Sequence, residues 1–236
     1  SHRESWDDFV GSRSEAKICH FICYKHFIEE AFGYKPVYWI FRKKNKIVGV
    51  FPSFEYRNLL GIKFWISQPF IEYGGILSEA LSDEDWMQFR KRVEHKLKMD
   101  RLPALKMNGF EGKNDIFYME KIGERGYLNL QMSELIWKNN LDSQARKAVK
   151  KAINSGLECY EETNEQSIKG KFYPLYLESM KRLGSPPFSI KYFLVKYAAF
   201  GNRMKLFFVE DKANEIIAGL IGYVFGQNVF IEFSVC

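Results

Sequence analysis

At 236 residues the chain is long enough for one large or two modest domains, each with its own buried core. With 46% apolar and 17% aromatic residues it is a packed globular protein, and 35 Lys plus Arg against 29 acids leave a net charge of +6 that matters only where it concentrates. Four scattered cysteines exclude a disulfide scaffold and point to a reducing, cytoplasmic compartment, and no run approaches the ~18 apolar residues that span a bilayer.

No basic region precedes an apolar stretch at the N-terminus, so no secretory signal is expected, and Ser1-His2 in place of Met reads as an appended remnant. In chain order, the pattern predicts a helix over 16–32 after the short segment 6–10, hairpin strands at 37–41 and 47–54, and a strand at 63–67. The loop Gln68-Pro69-Phe70-Ile71-Glu72-Tyr73-Gly74-Gly75-Ile76 follows. Ser82 then caps a helix over 83–99, with Asp85 three residues on as a weaker form of the capping box, and strands are expected at 104–107 and 127–131. The middle is helical: Ser133 caps a short helix through Trp137, and Asp142-Ser143 caps another that ends at Gly156. A strand at 157–160 leads to two long helices over 165–183 and 189–200. Gly184 stops the first, and Pro186-Pro187 forbid its continuation. A hairpin at 206–209 and 216–225 and a strand at 229–235 close the sequence. That last strand stops without a following helix or turn, so the chain is expected to be part of a longer protein.

Part of this order occurs twice. Ala31-Phe32-Gly33, an apolar strand, a polar turn Lys43–Lys46 and Ile47-Val48-Gly49 are echoed by Ala199-Phe200-Gly201, a strand, a polar turn Asp211–Glu215 and Ile217-Ala218-Gly219. Each copy follows an apolar helix, so each reads helix, strand, turn, strand. Two copies point to a duplicated lobe rather than an array, and a cleft between like lobes is a preferred ligand site. The same order also arises by chance in mixed folds. No low-complexity linker intervenes, so direct packing of the lobes is expected.

The helix at 144–153 is two-faced. At about 100° per residue, Ala145, Ala148, Val149, Ala152 and Ile153 share one arc, and Arg146, Lys147, Lys150 and Lys151 the other, with no acid between them. Such a face suits a polyanion (RNA phosphates, a nucleotide pyrophosphate or an anionic lipid headgroup) or is simply solvated. In Glu72-Tyr73-Gly74-Gly75, consecutive glycines let backbone N–H groups approach a ligand carbonyl or phosphate, or make a tight turn. Lys181 and Arg182 sit in a last helical turn, where cations answer the dipole. Cys19, Cys23 and His26 share a helical face with His20 nearby, yet three ligands from one helix are awkward for a metal, and core packing is the better reading.

The sequence holds no P-loop, dinucleotide-binding glycine fingerprint, metalloprotease helix or nucleophile elbow. It also lacks the Arg/Gln-x-x-Gly-x-Gly/Ala run of ordinary acetyl-CoA-dependent N-acetyltransferases. What it holds, in consistent order over most of its length, is Trp6-Asp7-Asp8-Phe9-Val10, Glu30-Ala31-Phe32-Gly33-Tyr34-Lys35-Pro36, Ile47-Val48-Gly49-Val50-Phe51-Pro52 and the loop 68–76. Further on come Arg146-Lys147-Ala148-Val149-Lys150-Lys151-Ala152 and Met180-Lys181-Arg182-Leu183-Gly184-Ser185-Pro186. These segments resemble the FemAB-like acyltransferases, a family built from two tandem lobes of the N-acetyltransferase (GNAT) fold.

The resemblance implies a mixed α/β chain with a first GNAT-like lobe at 1–132, a basic helical connector and strand at 133–163, and a second, incomplete lobe at 164–236. It implies transfer of an acyl or aminoacyl group to an amine or hydroxyl of a cell-envelope or exopolysaccharide precursor. The expected chemistry is direct attack on an activated carbonyl, without a covalent enzyme intermediate. The long helical arm of wall-bridge members is absent from this sequence, so aminoacyl-tRNA and acyl-CoA both stand as donor substrates; no permanently bound cofactor and no metal are expected. The implied partners are a small-molecule or lipid-linked envelope precursor, tRNA, and a peripheral membrane contact, but not DNA. Tyr73, with Glu72, Gly74 and Gly75, is the expected acyl or acceptor site, and Arg146, Lys147, Lys150 and Lys151 are the expected contacts to donor phosphates. Arg182 and Ser185 would line the cleft, and Glu232 is the candidate general base. Two rivals stand beside this reading: an acyl-CoA-dependent GNAT-type N-acyltransferase, and a non-catalytic polyanion-binding module with degenerate lobes.

Overall fold

A computed structural model, which describes residues 2–71, 74–79, 81–102, 104–106, 132–226 and 228–236, breaks the helix expected over 16–32 into two pieces. The cause lies in the preceding helix, α1 (His2–Gly11). Its Asp7 Oδ1 accepts the Ile22 N–H at 2.9 Å, and its Trp6 indole donates to the His20 carbonyl at 2.7 Å. A 3-10 turn at Ile18–His20 therefore gives way to extended Phe21, and α2 (Ile22–Phe32) starts on a carboxylate supplied from fifteen residues upstream. Gly33, at φ 68°, ends α2 in the left-handed conformation.

β1 (Lys35–Lys43) and β2 (Lys46–Arg57) form an antiparallel hairpin through Lys44 and Asn45, at φ 46° and 65°, the positive values a two-residue turn requires. β3 (Lys63–Ile66) and the short β4 (Leu77–Ser78) both pair antiparallel with β2, and β5 (Leu105–Lys106) pairs parallel with β3. Gly49 is what admits β4: a Cβ there would stand 2.8 Å from the Ser78 Cβ. α3 (Asp83–Met99) lays Phe89 edge-on to Trp39 and Phe51 at 5.9 and 5.7 Å. The expected Ser82–Asp85 capping box is formed in both directions, and Lys43 at 2.7 Å joins it, holding the Asp85 carboxyl down at about 2.

α4 (Ser133–Leu135) runs on into π-helical Ile136–Asn140, and α5 (Ser143–Asn154) begins on Asp142, whose Oδ1 accepts the Ala145 N–H at 2.7 Å. After β6 (Glu158–Glu161), one helical run consists of α6 (Glu165–Ser167), π-helical Ile168–Phe172 and α7 (Tyr173–Leu183). Pro174, which has no N–H for the carbonyl four residues back, follows the π segment in the first turn of α7. Gly184 stops the run at φ 65°, with the Ser185 N–H on the Met180 carbonyl, as its sequence position predicts. α8 (Ile190–Phe200), a 3-10 turn, β7 (Met204–Glu210), β8 (Ile216–Phe225) and β9 (Asn228–Val235) follow. The second sheet has the order β6-β7-β8-β9, with β6 antiparallel to β7.

The echo in the sequence is real at the level of elements: α2-β1-β2 and α8-β7-β8 are both helix, strand, turn, strand. The copies differ in detail. Gly33 leads straight into its strand, whereas Gly201, at φ 53° and ψ −131°, opens a 3-10 turn first. The second hairpin is turned by the Asp211 side chain, which accepts the Ala213 and Glu215 N–H groups at 2.8 and 3.0 Å.

Compactness divides the chain into two units that interleave in sequence. One takes the described residues of Ser1–Ile116 with Phe188–Lys205 and Gly222–Glu232; the other takes those of Phe117–Pro187 with Leu206–Ile221 and Phe233–Cys236. In the first, Phe27 joins α2 to α8 by meeting Tyr192 and Phe200 at 5.2 and 6.0 Å, while Phe51, Phe54 and Trp65 fill the sheet face. In the second, Ile168, Phe172, Tyr176 and Phe208 form the core. The class is mixed α/β with two largely antiparallel sheets, as expected. The strand expected at 127–131 lies outside the described residues, as does Met107.

Candidate functional site

The basic segment singled out in the sequence borders a cavity. α4 with its π-helical extension and α5 border this cavity, which is open to solvent and holds about 680 Å³ lined by Ser133, Glu134, Trp137, Lys138, Arg146 and Lys150. Arg146 builds its wall: Nη1 donates to the Leu141 carbonyl at 2.6 Å and to those of Trp137 and Lys138 at 3.3 Å each. These are carbonyls at the end of a helical run, short of intrahelical donors and favourable to a cation. Lys138 and Lys150 make no ion pair among the described residues and add their positive charge to that of Arg146. Lys147 and Lys151 are exposed and outside the lining. Neither face of α5 is in the core: its apolar arc leaves Val149 41% and Ile153 64% exposed.

The loop 68–76 is tied down from within. Gln68, Phe70 and Gly74 take φ of 46°, 65° and 144°, an unusual density of left-handed backbone. A Cβ on Gly74 would overlap the Gln68 side chain, with the Gln68 Cβ at 2.6 Å and the Cys19 Sγ at 3.2 Å. The Gln68 amide donates to the Cys19 carbonyl, and the Tyr24 hydroxyl donates to the Pro69 carbonyl at 2.6 Å. His20 receives the Lys17 N–H on Nδ1 at 3.0 Å, so Nε2 carries the proton and donates to the Gly75 carbonyl at 3.2 Å. Burial pushes His20 down to about 4 against the pull of those hydrogen bonds, which fixes it neutral. Gly74 and Gly75 are both buried. Glu72 and Tyr73 lie outside the described residues.

From Phe70, 44% exposed, ring contacts lead inward. Phe70 meets Phe188 edge-on at 6.1 Å, and Phe188 stacks on Tyr192 at 4.2 Å. The Tyr192 hydroxyl donates to Glu232 Oε1 at 2.9 Å, and the Tyr223 hydroxyl to Oε2 at 2.6 Å. Lys196, 3% exposed, completes the group with an ion pair to Oε1, lying 4.7 and 4.5 Å from the Phe27 and Tyr192 ring centres. Burial lowers the Lys196 ammonium and the Glu232 carboxylate opposes that; burial also holds the Tyr223 phenol well above its usual value. Both oxygens of the expected base are therefore engaged. The sequence carries a signal for this group: Lys196 is the one lysine inside the apolar run Tyr192–Phe200.

The remaining candidates are simpler. Arg182 is exposed, with Nη2 3.8 Å from the Cys236 Sγ, and Ser185 is exposed just past the end of α7. Cys19 and Cys23 are buried while His26 is exposed, in line with core packing. Among the described residues no cluster of His, Cys, Asp and Glu is arranged to hold a metal ion, and no helix is long and apolar enough to cross a membrane.

Ser133, Glu134, Trp137 and Lys138 are the cavity residues that sequence reasoning passed over, because this stretch read only as a short helix capped by Ser133; Ser133 is instead the first helical residue and makes no capping hydrogen bond. No family model and no curated protein matches the sequence. Among solved structures the chain is similar to FemX, with a TM-score of 0.75 over 99% of this chain and 78% of that one, at 12% identity. At that identity the likeness is one of fold, and it is near-complete for this chain: the polypeptide has the FemAB-like fold that its sequence segments resemble.

Proposed function

We propose that the chain is an acyltransferase of the FemAB type, taking its acyl group from a carrier that ends in an adenine nucleotide and passing it to an amine or hydroxyl of an envelope or exopolysaccharide precursor. The observation that carries this reading is the cavity lined by Trp137, Lys138, Arg146 and Lys150. An indole face stacks on a nucleobase, two ammonium groups suit phosphates, and the Glu134 carboxylate offers an acceptor to a ribose hydroxyl. Aminoacyl-tRNA and acyl-CoA share this chemistry, since both carry the acyl group on a phosphate-bearing adenosine carrier. The likeness to FemX supports the same reading at the level of fold.

In the proposed reaction the acceptor nitrogen or oxygen bonds to the carbonyl carbon, and the carbon–oxygen or carbon–sulfur bond to the carrier breaks. The proton lost by the acceptor ends on the departing hydroxyl or thiol. Positioning and an oxyanion-stabilising donor supply the acceleration. The carrier is a substrate, so no resident cofactor is needed. The loop 68–76 is the proposed acyl or acceptor region, with Phe70 its exposed aromatic, and Arg182 and Ser185 stand exposed for acceptor contacts.

Transfer of a radiolabelled acyl group from each donor to an amine acceptor tests this. Lys138→Ala/Lys150→Ala is expected to raise the donor KM by about 10- to 100-fold, as loss of two charge-assisted contacts implies, with the acceptor KM unchanged. A shift in acceptor KM instead would remove the donor from the cavity. Salt-sensitive binding with no transfer from either donor would favour the non-catalytic polyanion-binding module.

A further inference from the structure

The turn between β2 and β3 holds two leucines out in solvent. Leu59 is 104% exposed, Leu60 82% and Ile62 48%, whereas an apolar turn of this kind is ordinarily covered. The turn is built to keep that shape. Asn58 Oδ1 accepts the Leu60 and Ile62 N–H groups at 3.0 and 2.9 Å, the Asn58 N–H donates to the Ile62 carbonyl at 3.0 Å, and the Gly61 N–H to the Asn58 carbonyl at 2.9 Å. These backbone groups are thus answered inside the turn, which reduces the cost of taking it into an apolar medium. Behind the leucines, Arg57 and Lys63 face each other as the terminal pair of the ladder, a like-charge pairing unfavourable in itself. Lys63 finds Glu55 at 2.8 Å, while Arg57 makes no ion pair among the described residues. One register further back, Tyr56 meets Phe64 at 5.0 Å and Tyr34 at 5.4 Å.

We propose that this turn is a docking tip for an anionic lipid bilayer, with Leu59 and Leu60 entering the interfacial layer and Arg57 and Lys63 meeting headgroup phosphates. An apolar tip backed by cations matches the order of apolar layer and headgroup phosphates in a leaflet, and the cations give charge complementarity to an anionic one. A convex tip of two leucines buries little against a rigid protein surface but is enveloped by lipid. The proposal stands apart from the donor cavity and from the proposed reaction, and neither is needed for it.

Co-sedimentation of the whole chain with vesicles of equal parts phosphatidylcholine and phosphatidylglycerol, and with phosphatidylcholine alone, tests it. The chain is expected to bind the anionic vesicles, and Leu59→Ser/Leu60→Ser to lower its partition about tenfold or more. Arg57→Gln/Lys63→Gln should remove most of the preference for anionic lipid. Both leucines are exposed, so an unchanged melting temperature separates loss of docking from loss of fold. The proposal is overturned if the chain does not bind, or if the leucine variant binds as before. Binding that is lost on Lys150→Ala/Lys151→Ala and kept by the leucine variant would likewise overturn it, as would a leucine-dependent dimer in sedimentation velocity, which assigns the tip to a second copy.

Discussion

Lys196→Met is expected to destabilise the protein by about 3–5 kcal/mol, the usual result of stripping one partner from a buried ion pair. The Lys196 and Glu232 side chains are only 4% and 13% exposed, and the variant would leave the carboxylate with two phenols and no cation. It would also remove a charge seated against the Phe27 and Tyr192 rings. Lys196→Met/Glu232→Gln should recover most of the loss, because the costly state is a lone buried charge rather than the absence of the pair. Urea unfolding with an unchanged slope reports both values, and equal losses in the single and double variants would contradict the account. The same residues sort the role of Glu232. A general base replaced by glutamine costs about 10²- to 10⁴-fold in kcat with the protein still folded. A residue that anchors β9 to α8 loses activity only in step with the folded fraction, and the engagement of both carboxylate oxygens predicts this second outcome.

The second large effect is in acid. His20 titrates at about 4 in the folded chain against 6.5 for the ordinary group, because burial penalises the imidazolium. Its folded value is depressed, so stability is complete above about 6.5 and is lost as the pH falls toward 4, by about 3 kcal/mol over the window. Most carboxylates titrate below the upper part of that window, which leaves the fall between pH 6.5 and 5 to His20. His20→Gln removes the titration while keeping a side chain able to donate and accept. Its unfolding free energy should be nearly flat over pH 6.5 to 5 where the parent falls, and a parallel slope in the two proteins would contradict the assignment. Protonation would also place a second N–H on Nδ1 against the Lys17 N–H, so the loop 68–76, pinned through the Gly75 carbonyl, is expected to loosen first.

What the sequence made legible is local. Ser82 with Asp85, Asp142, and Gly184 before two prolines each mark a helix end by chemistry within four residues, and each end lies where expected. The alternation and turn residues of both hairpins are likewise local, so the doubled helix–hairpin order was visible. Features set by distant partners were not. The start of α2 depends on Asp7, and β4 depends on the space left by Gly49. The candidate site divides the same way. Clustered cations on α5 marked the cavity, but charge alone does not show that Arg146 is engaged by three carbonyls while Lys138, on another helix, completes the lining. Glu232 was chosen without its partners because Lys196 lies 36 residues away. The two-faced pattern of α5 reports only which residues share a side and not what covers them, and Val149 and Ile153 are exposed.

The claim that the stretch from Ser133 to Asn154 holds the nucleotide end of an acyl carrier is tested most directly by hydrogen exchange with and without saturating deacylated tRNA or coenzyme A. At least one of the two should slow exchange across Ser133–Leu135, the π-helical Ile136–Asn140 and the first two turns of α5. Unchanged exchange there, with protection confined to other elements, would contradict the account.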